Sequence, residues 1–251
     1  MARPVTVVTG ASAGLGAEFA RQCAARGDKL VLVARRRDRL EALAAEIGRA
    51  QVIVADLAAP GAAGRLCAEI ERLGLSIACL INNAGFGLVG RFADLPLERQ
   101  RAMIDLDVAS LVELSHLVLP GMIARAQGGI LNVASTASFQ AGPGMAVYFA
   151  SKAFVLSFTE ALHQEMRATG IKVTALCPGP TATEFGEVAG AKGANFSRFS
   201  SDARAVVSAG LAGLERNQAI VIPGLMNKTT AMSTRFIPRA ALRRIVASLK
   251  I

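Results

Sequence analysis

The sequence predicts a doubly wound α/β domain, a parallel sheet of about seven strands with helices on both faces. Three observations carry that expectation. Seven short runs are apolar nearly throughout, as strands covered on both faces should be. Between them, longer stretches such as Leu15–Arg26 and Arg39–Ile47 place apolar residues at three- and four-residue steps. No linker or repeat interrupts the alternation, so residues 1–251 read as one domain with a distinct segment at about 226–251.

The first strand, Val5–Thr9, runs into Thr9-Gly10-Ala11-Ser12-Ala13-Gly14-Leu15-Gly16 and then into a helix. Glycines permit a tight turn and close backbone approach, and a helix N-terminus attracts phosphate. The turn suits a dinucleotide pyrophosphate in a Rossmann-like domain. Its G-x-x-x-G-x-G spacing departs from the general fingerprint, and a ligand-free Gly-rich turn is the alternative. The second strand, Leu30–Ala34, ends in Arg35-Arg36-Arg37-Asp38. An NAD-binding fold expects an acid about 20 residues after the glycines, whereas arginine favours the 2′-phosphate of NADP. The alternative is a solvated charge run, but cations are disfavoured at a helix start. Asp56-Leu57 follows the third strand, Gln51–Val54, where the aspartate suits either an adenine amino group or a cap or turn. The remaining strands are Ile77–Ile81, Gly129–Ala134, Ile171–Leu176 and Ala219–Ile222.

Bulk properties narrow the function classes. A chain of 251 residues is ample for a large core, and 52% hydrophobic with 19% charged residues is a globular profile. A strand starting at Val5 leaves no room for a signal peptide. The longest uncharged stretch, residues 126–151, is broken by Gly, Pro, Ser, Gln and Asn, so no membrane span is expected. Cys23, Cys67, Cys79 and Cys177 have no CxxC spacing and no histidine nearby in sequence. Neither a metal site nor a disulfide framework is expected, and reduced thiols of a cytoplasmic protein are. The net charge of +9 belongs mainly to the C-terminus, where no acid follows Glu215. That charge lacks the interleaved aromatics of a nucleic-acid binder, so no nucleic-acid partner is expected.

Tyr148 and Lys152 stand four residues apart, on one face of a helix. A phenol near pKa ~10 is a poor acid and a poorer base at neutral pH. An adjacent ammonium favours the phenolate, and a downward shift of roughly 3 units corresponds to about 4 kcal/mol. Tyr148, the one tyrosine in the chain, then becomes able to trade a proton with a carbonyl/alcohol pair. Surface placement of both residues by an amphipathic helix is the alternative.

Taken together, Thr9–Gly16 (T-G-x-x-x-G-x-G), Asn82-Asn83-Ala84-Gly85, Ser135 thirteen residues before Tyr148, Tyr148-x-x-x-Lys152 and Pro178-Gly179 followed by Thr183 resemble the classical short-chain dehydrogenase/reductase family. The resemblance spans roughly residues 3 to 225, in order and at the family's spacings. It implies that Ser135 bonds the substrate oxygen, that Tyr148 transfers the proton, and that Lys152 lowers the tyrosine pKa and binds the nicotinamide ribose. Gly10, Ser12, Gly14, Leu15 and Gly16 would line the pyrophosphate turn. Arg35 and Arg36 would face the 2′-phosphate, and Asn83, Ala84 and Gly85 would pass beside the adenosine ribose. Pro178, Gly179, Thr181 and Thr183 would hold the nicotinamide end. The implied cofactor is NADP(H), the substrate a small carbonyl or alcohol, and the assembly a homodimer or homotetramer. Ser138 competes with Ser135 as the hydroxyl, or is a turn residue. His116 and His163 match no motif and read as helix residues.

One departure is notable. The family's D-x-N-V reads Asp105-Leu106-Asp107-Val108 here, so Asp107 takes the asparagine position. A carboxylate near Lys152 favours the charged ammonium and partly offsets the field that stabilises a phenolate. Activity is expected to survive but to be lower, or shifted in pH, relative to Asp107→Asn. The segment from Glu184 to Ser200 varies within the family; its Phe185, Phe196 and Phe199 suggest an apolar substrate surface or anchors to the core. In the tail, Leu242, Ile245, Val246 and Leu249 share a helical face flanked by Arg239, Arg243 and Lys250. That helix either packs on the domain or another subunit, or makes weak peripheral contact with anionic membrane. An apolar 3-oxoacyl thioester, long-chain aldehyde or steroid-like ketone fits as substrate. A non-catalytic NADP(H)-binding regulator is the rival reading, with Asp107 its sole support.

Overall fold

Apolar runs become central strands because no face of theirs meets water. In the computed structural model, which describes residues 2–190 and 200–248, all five residues of β2 (Leu30–Ala34) are buried. Around it lie β1 (Arg3–Thr9), β3 (Ala50–Val54), β4 (Leu75–Asn82), β5 (Gly128–Val133), β6 (Ile171–Leu176) and the two-residue β7 (Ile220–Val221). They form one seven-stranded sheet in the order β3-β2-β1-β4-β5-β6-β7, with every pairing parallel. The fold is Rossmann-like, and the expected strands are all present with ends shifted by at most two residues. Phe196, Phe199, Leu249 and Lys250 lie outside the described residues.

Alternation along each strand sorts side chains into two cores. Val8, Leu30, Leu32 and Leu131 point to the face covered by α1 (Gly14–Ala25), α2 (Arg37–Ile47) and α8 (Ala203–Glu215), where they meet Phe19, Leu40 and Val207. Val5, Val7, Val31, Val33 and Ile130 point to the other face, covered by α3 (Ala62–Arg72), α5 (Ser110–Ala124) and α6 (Ala146–Glu165), where they meet Leu66, Leu114 and Leu162. Burying each such side chain contributes about 1.5–3 kcal/mol relative to exposure.

Strand order reverses between β1 and β4, and ligands of open parallel sheets bind at the carboxyl ends beside such a switch. A buried polar ladder fixes α6 over that point. Asn82 Nδ2 donates to Asn132 Oδ1 at 2.9 Å, and Asn132 Nδ2 donates to Thr159 Oγ1 of α6 at 2.9 Å. Between α4 (Leu97–Ile104) and α5, residues Asp105–Ala109 form a turn of π-helix, which carries Asp107. After β6, α7 (Phe185–Ala189) crosses the same end of the sheet. The tail forms α9 (Leu225–Ser233) and α10 (Arg239–Ser248). Val246, 5% exposed, and Leu242 pack into a cluster with Met103, Met145 and Tyr148, while Ile245 stays exposed. The tail helix thus packs on its own chain, the first of the two expectations. Among the described residues, no helix is long and apolar enough to cross a membrane.

Candidate active site

Backbone conformation builds the phosphate end. Gly10 and Gly14 have φ of +66° and +53°, a region costly for side chains. A Cβ on Gly10 would stand 2.8 Å from Asn83 Nδ2 and 2.9 Å from Ala84 Cα. Gly16 lies beneath the turn, where a Cβ would run into the Gly10 carbonyl and Asn83 Nδ2. It lets α1 approach the strand and supports the turn from beneath, outside the wall of the cleft itself. Thr9 locks the turn to β4: its Oγ1 donates to Ile81 O at 3.2 Å and accepts from the backbone N–H groups of Asn83 and Ala84, each at 3.0 Å. Asn83 Nδ2 donates to Thr9 O at 2.9 Å. The N-terminus of α1 has no capping side chain and no acid in its first turn, so its N–H groups are free to meet an anion.

From this turn a cleft of about 660 Å³ runs the length of the sheet's carboxyl end, a volume suited to a cofactor with substrate. Its walls include Ser12, Gly14, Leu15, Arg35, Arg36, Asp56, Leu57, Asn83, Ala84, Gly85, Ser135, Tyr148, Lys152, Pro178, Gly179, Thr181 and Thr183. The sequence thus marked one continuous surface, with Gly16 and Asp107 behind its wall. Bare glycines, an uncapped helix start and guanidinium groups at one end fit the phosphates of a dinucleotide. Asp56 is exposed and its Oδ1 accepts from Ala58 N–H at 3.1 Å, a turn contact of its own. Thr183 Oγ1 accepts from Phe185 N–H at 3.3 Å, and its methyl side would touch a Cβ on Gly14.

At the other end α6 delivers Tyr148 and Lys152, both buried. Gly142 has no room for a Cβ because the Phe149 ring lies against it, which pins the start of this helix. Lys152 Nζ donates to Val133 O at 3.1 Å, and Asp107 Oδ2 lies 3.5 Å away. Asp107 Oδ1 accepts from Phe86 N–H at 3.1 Å, and Oδ2 accepts from Ser151 Oγ at 3.3 Å. Gly85 passes over this pair; a Cβ there would stand 3.0 Å from Asp107 Oδ1 and 3.2 Å from Lys152 Nζ. The Lys152 ammonium sits 5.8 Å from the centre of the Tyr148 ring. Ser135, the residue before a 3₁₀ turn, accepts from Ala137 N–H at 3.1 Å, and its Oγ lies 3.5 Å from Pro178 O. Ser138 turns away: it is buried and donates to Lys152 O at 2.7 Å, so it holds α6 in place. His163 bonds Val173 O with Nδ1, and neither His163 nor His116 lines the cleft.

Electrostatics here differ from what four-residue spacing implies. Burial pushes the Tyr148 phenol above its ordinary value; the Lys152 ammonium and the Ser135 hydroxyl pull it partway back, and Asp107 adds to the rise. The spacing captured the sign of Lys152's influence and not the larger effect of desolvation. Burial also opposes the Lys152 ammonium, but Asp107 and Tyr148 outweigh it and hold Lys152 charged. Burial pushes the Asp107 carboxyl up, and Lys152, Phe86 N–H and Ser151 pull against that.

Met145 and the two α7 residues, Phe185 and Val188, fall in the stretches that sequence reasoning singled out beside the tyrosine, Phe139–Val147 and Glu184–Ser200; Phe86 and Phe149 were missed. Phe86, Met145, Phe149 and Val188 line the cleft beside Tyr148, and the Phe185 ring lies 5.2 Å from the Tyr148 ring. Their scatter over two loops and two helices gives no periodic signal.

Residues 4–193 match the short chain dehydrogenase family. A very-long-chain 3-oxoacyl-CoA reductase from Anas platyrhynchos is 37% identical over 192 residues, 72% of this chain and 61% of that protein's length. Sulfoacetaldehyde reductase 2 from Chromohalobacter salexigens is 37% identical over 186 residues, 72% of this chain and 74% of that protein. A short-chain dehydrogenase from Sphingobium yanoikuyae, solved in complex with NADPH, superposes with a TM-score of 0.83 at 33% identity, covering 93% of both chains. A 7β-hydroxysteroid dehydrogenase structure superposes with a TM-score of 0.87 at 27% identity, covering 98% of this chain and 96% of that one.

Proposed function

The chain belongs to the short-chain dehydrogenase/reductase family of oxidoreductases, and we propose that it is an NADP(H)-dependent enzyme interconverting a carbonyl and an alcohol on an apolar substrate. One observation carries the reading: Ser135, Tyr148 and Lys152 converge at one end of a cleft whose other end bears Arg35 and Arg36. In this reading the nicotinamide, when bound, supplies or accepts the hydride. Gly10, Ser12, Gly14 and Leu15 cradle the pyrophosphate, Arg35 and Arg36 take the 2′-phosphate, and Pro178, Gly179, Thr181 and Thr183 hold the nicotinamide end. Asn83, Ala84 and Gly85 pass beside the ribose.

Tyr148 is the proton donor in reduction. A phenol whose pKa burial has raised is fully protonated at neutral pH, the form a donor needs. Ser135, beside the phenol, donates to the substrate oxygen as negative charge develops there. Lys152 spends one N–H on Val133 O and directs one at Asp107, leaving a third for a ribose hydroxyl. Asp107 acts through Lys152 and is a positioning residue.

Phe86, Met145, Phe149, Phe185 and Val188 support an apolar substrate, in the range of a 3-oxoacyl thioester, a long-chain aldehyde or a steroid-like ketone. Ile104, Leu117 and Phe154, each 43–45% exposed on α4, α5 and α6, support a homodimer or homotetramer through these helices. The test is NADPH oxidation with carbonyl compounds graded by chain length, beside Tyr148→Phe. The variant is expected to lose about 10²–10⁴-fold in turnover. Tight NADPH binding with no turnover on any compound would leave a cofactor-binding regulator instead. Liposome co-sedimentation of the full chain against a truncation after Leu225 tests the tail; equal binding removes membrane contact.

A further inference from the structure

The arginines that open α2 already hold an anion. Glu184 Oε2 lies 3.1 Å from Arg36 Nη1, and Oε1 pairs with Arg39. Arg36 is also tied to the phosphate turn: its Nε donates to Ser12 Oγ at 3.2 Å and its Nη2 to Ser12 O at 3.3 Å. One guanidinium therefore spans the pyrophosphate turn and a carboxylate 148 residues further along the chain. The cluster stands at the N-terminus of α2, where Arg36 is the N-cap residue and no side chain caps the helix. Peptide dipoles there favour an anion and oppose cations. Asp38 supplies one negative charge in the first turn, Glu184 adds a second from outside the helix, and Arg39 and Arg36 hold the Glu184 carboxyl below the usual carboxylate range. The partners keep 40–43% of their side-chain surface exposed, so these bonds exchange readily with another anion.

We propose that Glu184 is an internal stand-in for the ribose 2′-phosphate, held by Arg36 and Arg39 until a 2′-phosphorylated nucleotide displaces it. It thereby sets how strongly the cleft prefers NADP(H) over NAD(H). This rests on the NADP(H) reading above. Arg36 has both edges of its donor fork engaged, by Ser12 and by Glu184. A phosphate gains that arginine by taking over the Glu184 bond, and a phosphate dianion beside a carboxylate repels it. Displacement also reaches the substrate end: Glu184 immediately precedes α7, whose Phe185 packs on Tyr148.

Calorimetric titration of the full chain with 2′,5′-ADP and with 5′-AMP, probes without nicotinamide, isolates the 2′-phosphate from hydride chemistry. Glu184→Gln removes the charge and keeps the shape; Glu184→Ala repeats the measurement without the amide. Both variants are expected to bind 2′,5′-ADP about three- to tenfold more tightly, from the loss of two half-exposed ion pairs that compete with it. Their 5′-AMP affinity should stay within about twofold of wild type, because that probe does not contest Arg36. Unchanged or weaker 2′,5′-ADP binding in both variants, with wild type still preferring 2′,5′-ADP to 5′-AMP, would overturn the role of Glu184 and leave the NADP(H) reading standing. No preference for 2′,5′-ADP in wild type or either variant would overturn both.

Discussion

Two carboxylate–cation contacts sit at opposite ends of one cleft in opposite settings. Asp107 and Lys152 have side chains 0% and 7% exposed, whereas Glu184 and Arg36 are 42% and 40% exposed. In the buried pair each charge depends on the other, since water cannot replace a lost partner. In the exposed pair water and salt can replace either member, so the contact is weak and exchangeable. Similar chemistry thus takes two forms: a fixed frame beside Tyr148, and an exchangeable contact at the mouth of the phosphate end.

The sharpest break of that comparison is Asp107→Ala. It strands the Lys152 charge in the interior and should cost about 3–5 kcal/mol in urea unfolding. A loss under about 1 kcal/mol would mean that water reaches Lys152 and that the two pairs are alike. Asp107→Asn is milder, because the amide oxygen still accepts from Phe86 N–H. Its effect belongs in the pH profile. A carboxylate near the phenol raises the Tyr148 pKa, so its removal lowers that pKa. The alkaline rise of alcohol oxidation, which needs the phenolate, should then move to lower pH. An unchanged profile and rate would show that Asp107 has no electrostatic hold on the site. Arg39→Ala should be smallest, under about 1 kcal/mol in the same urea titration and vanishing at high salt.

Much of this was legible in the sequence, for local reasons. The strands announce themselves because fully buried strands are apolar at every position, as Leu30–Ala34 is. Tyr148 and Lys152 are legible because one helical turn brings four-residue neighbours together. Thr9 was visible as part of a motif, but its hydroxyl bridging to Asn83 and Ala84 depends on β1 and β4 being neighbours, which no local pattern encodes. Glu184 was invisible as a partner of Arg36 because a half-exposed ion pair across 148 residues leaves no periodic trace. The tail was ambiguous because one amphipathic face suits a membrane, another subunit or its own domain; that Val246 packs beside Met103 and Met145 while Ile245 stays exposed depends on the folded chain. The π-helical turn at Asp105–Ala109 was likewise hidden, since its apolar spacing is that of any helix.

The cluster around Tyr148 has a spectroscopic consequence. The protein contains no tryptophan and a single tyrosine, so its near-ultraviolet absorption beyond the phenylalanine bands comes from one phenol in the cleft. Ionisation of that phenol moves its band to longer wavelength. A plain absorbance titration therefore follows one proton on one atom, without label or mutation. Filling the cleft or altering Asp107 should register as a displaced titration curve in the native chromophore.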